Sequence, residues 1–393
     1  MNKLLTLESL DLKNKKVFLR VDYNVVADGK IIDEFRVKAS LPTIQYLLDQ
    51  NCSIILASHN GRPGGKVVES MSLRPVARLL PRLLNRDVTF LDDCVGEAVE
   101  AEASYLRPGD IMLLENLRFH AGEEDNNPDF AKKLAGLANV YVDDAFAVIH
   151  RANASLVGVA KILPHCAGRL VQKEYETFEM LKQKPPRPYT AVIGGAKISD
   201  KIEVLDELLK HVDALLIGGA MANTFLAATG VNMRSSKLEK SSTSDALKII
   251  KKAAAKKIKL LLPTDLVVAK AINAQQKGKV VAAGELQPGD MALDIGPDTM
   301  KAFDQVVAQS KTVFWNGTLG MAELPAFAKA SSSMAHAMIS SDAQTIVGGG
   351  DTAAYVDSVE LNTHFSFVST GGGASLELLA GKKLPGIAVL LKK

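Results

Sequence analysis

Lys182-Gln183-Lys184-Pro185-Pro186-Arg187-Pro188 is the stretch that divides this chain. Proline fixes φ, removes an amide donor and pushes the residue before it out of the helical region. Three prolines in four positions therefore read as a stiff, extended linker. Upstream, residues 171–181 carry apolar side chains at helical spacing, which predicts a connecting helix. Downstream, residues 190–193 form a short apolar run ending in Gly194-Gly195, which predicts the first strand of a second sheet. With 393 residues the chain has room for two domains of about 180 residues each. The expected division is a first domain over 1–170, a connector over 171–188 and a second domain over 189–379.

Similar short, β-branched runs recur on both sides of the linker. They cover residues 17–21, 53–57, 111–114 and 140–142 before it, and 214–217, 260–262, 312–315 and 345–347 after it. Segments with helical spacing lie between them, at 41–48, 200–209 and 244–254. Strands with little polar alternation, separated by helices, predict parallel sheets covered on both faces. The expected class is α/β. The two halves show no internal repeat.

Ligands of open parallel sheets bind beyond the carboxyl ends of the strands, so the residues that follow each run are informative. In the first half these are Asp22-Tyr23-Asn24, Ser58-His59-Asn60-Gly61-Arg62, Glu115-Asn116-Leu117-Arg118 and Asp143-Asp144, with His150-Arg151 further on. The second half collects glycine instead: Gly194-Gly195, Gly218-Gly219, Gly317, Gly348-Gly349-Gly350 and Gly371-Gly372-Gly373. One edge suits a small anion; the other suits a polyphosphate and a flat base.

Bulk composition narrows the partners. A net charge of +3 over this length argues against nucleic-acid or membrane binding through overall electrostatics. Cys52, Cys94 and Cys166 are an odd number without CxxC spacing, which excludes a cysteine-rich zinc site and points to inert thiols in a reducing compartment. The first residues lack the apolar core of a signal peptide, and no run approaches the ~20 apolar residues that span a bilayer. The expected location is the cytoplasm.

Each motif has a plain structural reading beside its functional one. Gly194-Gly195-Ala196-Lys197-Ile198-Ser199-Asp200-Lys201 follows a strand and opens a predicted helix. Its glycines admit phosphate oxygens to the backbone, and Lys197 and Lys201, four apart, are expected to share one helical face. It is not a GxxxxGK[ST] loop, and the alternative is a simple turn. In Gly348-Gly349-Gly350-Asp351-Thr352, Asp351 suits a magnesium ligand or a helix N-cap. Ser369-Thr370-Gly371-Gly372-Gly373-Ala374-Ser375 is either a tight turn or a set of bare amides facing a transferring phosphoryl group. Arg36 is equally a surface ion pair, His59 a packing histidine, and Trp315-Asn316-Gly317 a core tryptophan with a turn.

Taken together, these segments resemble one family over essentially the whole chain: phosphoglycerate kinase. The resemblance rests on Arg20-Val21-Asp22-Tyr23-Asn24-Val25, Leu41-Pro42-Thr43-Ile44, Ser58-His59-Asn60-Gly61-Arg62-Pro63 and Leu114-Glu115-Asn116-Leu117-Arg118-Phe119. Asp144-Ala145-Phe146, His150-Arg151, the 194–201 segment, Trp315-Asn316-Gly317 and the two later glycine runs follow in order. It implies two Rossmann-like three-layer αβα domains with parallel sheets facing across a cleft, and a C-terminal segment, 380–393, that returns to the first domain. It implies that Asp22, Tyr23, Asn24, Arg36, His59, Asn60, Gly61, Arg62, Arg118 and Arg151 bind 3-phosphoglycerate or 1,3-bisphosphoglycerate. Gly195, Lys197, Lys201, Asn316, Glu323, Gly349, Gly350, Asp351 and Thr352 are implied to bind ATP or ADP, with Mg²⁺ on Asp351.

The implied reaction is reversible in-line transfer from 1,3-bisphosphoglycerate to ADP, giving 3-phosphoglycerate and ATP in a monomer that closes about hinges. Arg36 and Lys197 hold the transferring group, and the amides of Gly372 and Gly373 add fixed dipoles. No general base is required, because the attacking oxygen is already anionic. Two rivals remain: a binding-only relative, and a different acyl-phosphate kinase. Several residues depart from the family pattern. Val26 replaces a proline, Asn60 an apolar residue, and Ala147 and Arg234 glycines, while Thr318 and Ala322 alter the stretch after Trp315-Asn316-Gly317. The expectation is that Ala147 is strained if its φ is positive, and that Arg234 alters nucleotide binding.

Overall fold

The computed structural model of the chain describes residues 3–273 and 275–392. It has two compact units, Met1–Thr177 with Lys383–Lys393, and Phe178–Lys382. The division falls inside the long helix Arg169–Gln183, upstream of the proline linker.

The first unit is built on a six-stranded sheet in the order Thr89–Phe90, Ile111–Leu113, Ser53–Ala57, Lys16–Val21, Val140–Asp144, His165–Ala167. All its pairings are parallel. Ser53–Ala57 and Val140–Asp144 are buried at every position, the burial expected of strands covered on both faces. Lys16–Val21 lies centrally, and the strands on its two sides are reached by separate crossovers, so a crevice opens at its carboxyl end. Two apolar clusters, one around Leu19, Ile54 and Leu113 and one around Phe18, Ile55 and Met112, cover the two faces of this sheet. Leu5 N donates to Leu390 O and Lys392 N to Lys3 O, each at 2.8 Å, so the C-terminal segment is fastened to the first unit.

The second unit repeats the plan. Its parallel sheet runs Lys259–Leu261, Ala214–Ile217, Tyr189–Ile193, Thr312–Asn316, Gln344–Gly348, Phe367–Val368, again with the first strand of the unit at its centre. A second sheet was not anticipated from the sequence. Asp265–Ala269 pairs antiparallel with Lys279–Ala282 and Met291–Ile295. A pure alternation of strands and helices does not produce this sheet, whose register is set by contacts between segments up to about thirty residues apart.

Local chemistry explains smaller features. The hairpin Val26–Ala27 with Lys30–Ile31 turns at Asp28-Gly29, with φ of 47° and 71°, the left-handed pair that a two-residue hairpin loop requires. The segment expected as a helix over 200–209 begins as the 3-10 turn Ser199–Lys201 and continues as Ile202–Leu208. Lys197 precedes both, so it does not share a helical face with Lys201. Among the described residues, no helix is long and apolar enough to cross a membrane.

Candidate active site

In the first unit, the carboxyl ends of the strands carry a cluster of cations around one histidine. His59 follows Ser53–Ala57 and is 1 % exposed. Burial pushes its imidazolium well below the usual range, and Arg20, Arg118, Arg151 and Arg36 add to the effect in that order. His59 is therefore neutral, with four guanidinium groups near enough to act on it. Arg36 Nη1 donates to Asp22 Oδ2 at 2.8 Å, and its Nε lies 3.3 Å from Asp33 Oδ2. Arg118, 4 % exposed, donates from Nη1 to Gly61 O at 2.8 Å and has Glu124 Oε1 3.4 Å from Nε. Arg151 keeps a buried Nε with no hydrogen-bond partner among the described residues, a donor left for an anion. Arg62 is exposed and makes no hydrogen bond or ion pair among the described residues.

Three of the predicted substrate residues serve the scaffold. Tyr23 is fully buried. Its hydroxyl sits 2.9 Å from Ser40 Oγ, and burial raises its pKa beyond the usual range, so its side chain does not face an open site. Asn60 is 1 % exposed and commits its amide to backbone: Oδ1 accepts from Val26 N at 3.1 Å, and Nδ2 donates to Val26 O at 3.0 Å. Two departures from the family pattern thus answer one another. Valine at 26 has an N–H that proline lacks, and asparagine at 60 supplies its acceptor. Gly61, with φ of 64°, donates to Asn24 Oδ1 at 2.8 Å, and a Cβ there would lie 2.8 Å from Met71 Sδ.

In the second unit the strand ends meet backbone to backbone. Gly194 N donates to Asn316 O and Gly195 N to Thr318 O, both at 2.9 Å. A Cβ on Gly194 would come 2.2 Å from Thr318 O, and one on Gly219 2.6 Å from Gly195 N. Both Gly194 and Gly195 amides are occupied, so what these glycines offer is room for close approach rather than free donors. The amides of Ile198 and Ser199, at the start of the following turn, donate to Glu239 Oε2 at 2.7 and 3.0 Å. Glu239 was not legible in the sequence; it holds an anion's place from 40 residues away.

A cavity of ≈ 220 Å³ lies over these strand ends, with Gly195, Gly219, Ala220, Leu293 and Met321 on its wall and Lys237, Glu323 and Asp351 at its polar edge. Lys201 donates to Gly194 O at 2.7 Å; burial pushes its ammonium pKa down to about 8, with Asp351 and Asp200 acting in the opposite direction. Lys197 is exposed, with Glu239 close enough to feel its charge. Asn316 keeps a buried Nδ2 without a partner among the described residues, and a Cβ at Gly349 would lie 2.5 Å from that atom. Asp351 is not the N-cap. The cap is Gly349, with φ of 90°, and Asp351 stands in the first turn of Gly350–Ser358 with its carboxylate on the cavity. Thr352 is buried, and its hydroxyl accepts from Gly317 N at 2.6 Å, which fixes the neighbouring loop. Gly372 caps Gly373–Leu379, and neither Gly372 nor Gly373 donates its amide among the described residues.

The remaining departures are placed plainly. Ala147 lies in the 3-10 turn Phe146–Val148 without a positive φ, so the expected strain is absent. Arg234 does take φ of 52°, and its Nε donates to Leu286 O at 2.9 Å. Thr318 contributes its carbonyl to the strand-end packing, a role indifferent to its side chain.

The phosphoglycerate kinase family profile matches residues 7–382. The phosphoglycerate kinase of Moorella thermoacetica is 51% identical over 390 residues, covering 99% of both chains. That of Desulfosudis oleivorans is 46% identical over 388 residues, covering 98% of both. Among solved structures, phosphoglycerate kinase from Coxiella burnetii aligns with a TM-score of 0.88 at 40% identity over 99% of each chain. The enzyme from Pyrococcus horikoshii aligns with a TM-score of 0.88 at 30% identity over 98% of each.

Proposed function

The chain belongs to the phosphoglycerate kinase family, and from that premise we propose how its residues divide the work. The reaction is reversible phosphoryl transfer between 1,3-bisphosphoglycerate and ADP, yielding 3-phosphoglycerate and ATP. The first unit binds the phosphoglycerate through Arg36, Arg62, Arg118 and Arg151, with Asp22, Asn24, Gly61 and His59 shaping the pocket. The observation that carries this reading is the convergence of Arg36, Arg118 and Arg151 on a buried His59, with the Nε of Arg151 left without a partner among the described residues. Guanidinium forks match carboxylate and phosphate oxygens in pairs, which suits a ligand carrying both.

The second unit binds the nucleotide in the cavity bounded by Gly195, Glu323 and Asp351, with Asn316 Nδ2, Lys197 and Lys201 as donors. Gly349, Gly350 and Thr352 shape the loop beside it. The exposed Asp351 carboxylate makes no hydrogen bond or ion pair among the described residues, so a hard oxygen donor is available for Mg²⁺. Asp351 would hold Mg²⁺ there, which would supply charge neutralisation at the nucleotide phosphates. Arg36 and Lys197 stabilise the oxygens of the transferring group, and the Gly372 and Gly373 amides add fixed donors. Transfer needs the reacting oxygens within about 3 Å and shielded from water, so the units move during turnover. The hinges are the connecting helix Arg169–Gln183 and the returning C-terminal segment near Leu384-Pro385-Gly386. The protein acts as a cytoplasmic monomer.

A coupled assay with 3-phosphoglycerate and MgATP tests the reading: the folded protein turns over, and Asp351→Ala needs more magnesium for half-maximal rate. Absence of activity in folded, magnesium-replete protein would leave a binding-only relative.

A further inference from the structure

Arg20 is a charged residue between Leu19 and Val21 near the carboxyl end of the strand Lys16–Val21 in the first sheet, and it is 1 % exposed. A buried guanidinium needs a counter-charge and partners for its donors. Here Nε donates to Ser155 Oγ at 2.8 Å, and Nη1 donates to Val21 O. Nη2 sits 3.9 Å from Glu123 Oε1, and Glu123 is also 1 % exposed. Ser155 in turn donates to Glu123 from Oγ at 2.6 Å and from its backbone N at 2.9 Å. Glu123 comes from the short helix Ala121–Glu124 and Ser155 from the turn Ala154–Gly158. Two other segments and a carbonyl of its own strand thus hold one guanidinium in a fixed orientation.

The remaining contact of that guanidinium is the one with a functional consequence. Arg20 Nη2 lies 3.2 Å from His59 Nδ1. Arginine stays protonated and can only donate, so Nδ1 must accept and the ring proton must sit on Nε2. Nε2 has no hydrogen-bond partner among the described residues. The opposing influence is Asp22, whose Oδ1 lies 3.9 Å from the same Nδ1 and would favour a proton there. Arg36, Arg118 and Arg151 add positive charge around the ring and disfavour a second proton.

We propose that Arg20 is a positioning residue: anchored by Ser155 and Glu123, it fixes His59 in the tautomer that presents Nε2–H to an oxygen of the phosphoglycerate. With the other tautomer the ring would turn a lone pair toward an anionic ligand, and a donor contact would become a repulsive one. The proposal rests on the reading of His59 as a ligand of the phosphoglycerate.

Nitrogen-15 NMR of histidine-labelled full-length protein tests the two separately. The free protein should show His59 neutral and protonated at Nε2 from pH 6 to 8, and saturating 3-phosphoglycerate should shift the Nε2 resonance. In Arg20→Gln the tautomers should mix, and KM for 3-phosphoglycerate should rise about 10-fold or more, the usual scale for losing a hydrogen bond to a charged group, while KM for MgATP stays within about twofold. Arg20→Lys should restore Nε2–H and part of the affinity, and Ser155→Ala should give a milder form of the Gln phenotype. A wild-type His59 protonated at Nδ1 or at both nitrogens overturns the proposal whether or not any variant folds. So does a folded Arg20→Gln that keeps Nε2–H, or one that loses it with KM unchanged. An Nε2–H ring unmoved by 3-phosphoglycerate defeats the ligand reading, and the proposal falls with it.

Discussion

Each unit centres a parallel sheet on its own first strand, though the strand orders differ, and on the proposed reading they prepare for anions by opposite means. The first unit uses side chains. Arg20, Arg118 and His59 are buried, and each is held by named hydrogen bonds or counter-charges. The second unit uses backbone: glycines at four strand ends pack without room for a Cβ, which leaves space above them for a ligand. Its cations are looser, with Lys197 exposed and Lys201 turned onto carbonyl oxygens. A small, rigid ligand rewards a preassembled cage of guanidinium forks. A longer, flexible polyphosphate with a bound metal needs close approach and cations that can adjust.

The largest expected effect joins the two sites. Arg36→Ala in the first unit and Lys197→Ala in the second should each lower kcat by roughly 10²-fold or more, as loss of transition-state charge stabilisation does. Steady-state kinetics decides; a change confined to KM would place both residues in ground-state binding alone.

The next concerns the rigidity of the first unit. Val26→Pro removes the N–H that Asn60 Oδ1 accepts and should cost about 1–3 kcal/mol by leaving a buried acceptor unsatisfied. Combined with Asn60→Leu, the loss should be largely recovered in denaturant unfolding. An additive double-mutant cycle would mean that the two departures are independent.

The second unit should answer to pH where the first does not. Burial lowers the Lys201 pKa to about 8, so its charge is present below that value and lost above it. Nucleotide binding favours the charged form, so KM for MgATP should rise roughly tenfold between pH 7 and 9. Lys201→Arg should flatten this rise, since arginine stays charged. A profile unchanged by the substitution would assign the titration to another group.

The smallest effect is on stability. Asp351 is exposed and Gly349 makes the cap, so Asp351→Ala should move the unfolding free energy by less than about 0.5 kcal/mol. A loss near the ~1 kcal/mol typical of a removed N-cap would restore the capping role.

Much of this was legible beforehand because it is local. Apolar runs such as residues 53–57 and 214–217 became strands with the same bounds, and the segment over 244–254 became the helix Thr243–Ala255. The family was legible too, since its motifs sit in the loops that follow those strands. What failed was long-range. Arg20 stood in the first matching motif without a role, although an arginine in a doubly covered strand is itself a signal that a partner must be buried with it.

Sequence by itself determined the α/β class, the two-part division and the family, because periodicity, proline and glycine act on the residues beside them. Tertiary structure alone decided which side chains are spent on the scaffold. Tyr23 and Asn60 were drawn into the scaffold by Ser40 and Val26, while Glu239 reached across 40 residues to the amides of Ile198 and Ser199. It also added the antiparallel sheet of Asp265–Ala269, Lys279–Ala282 and Met291–Ile295. The physical reason is that a buried polar atom must find a partner wherever the fold supplies one, and strand pairing and side-chain hydrogen bonds are settled by proximity in space.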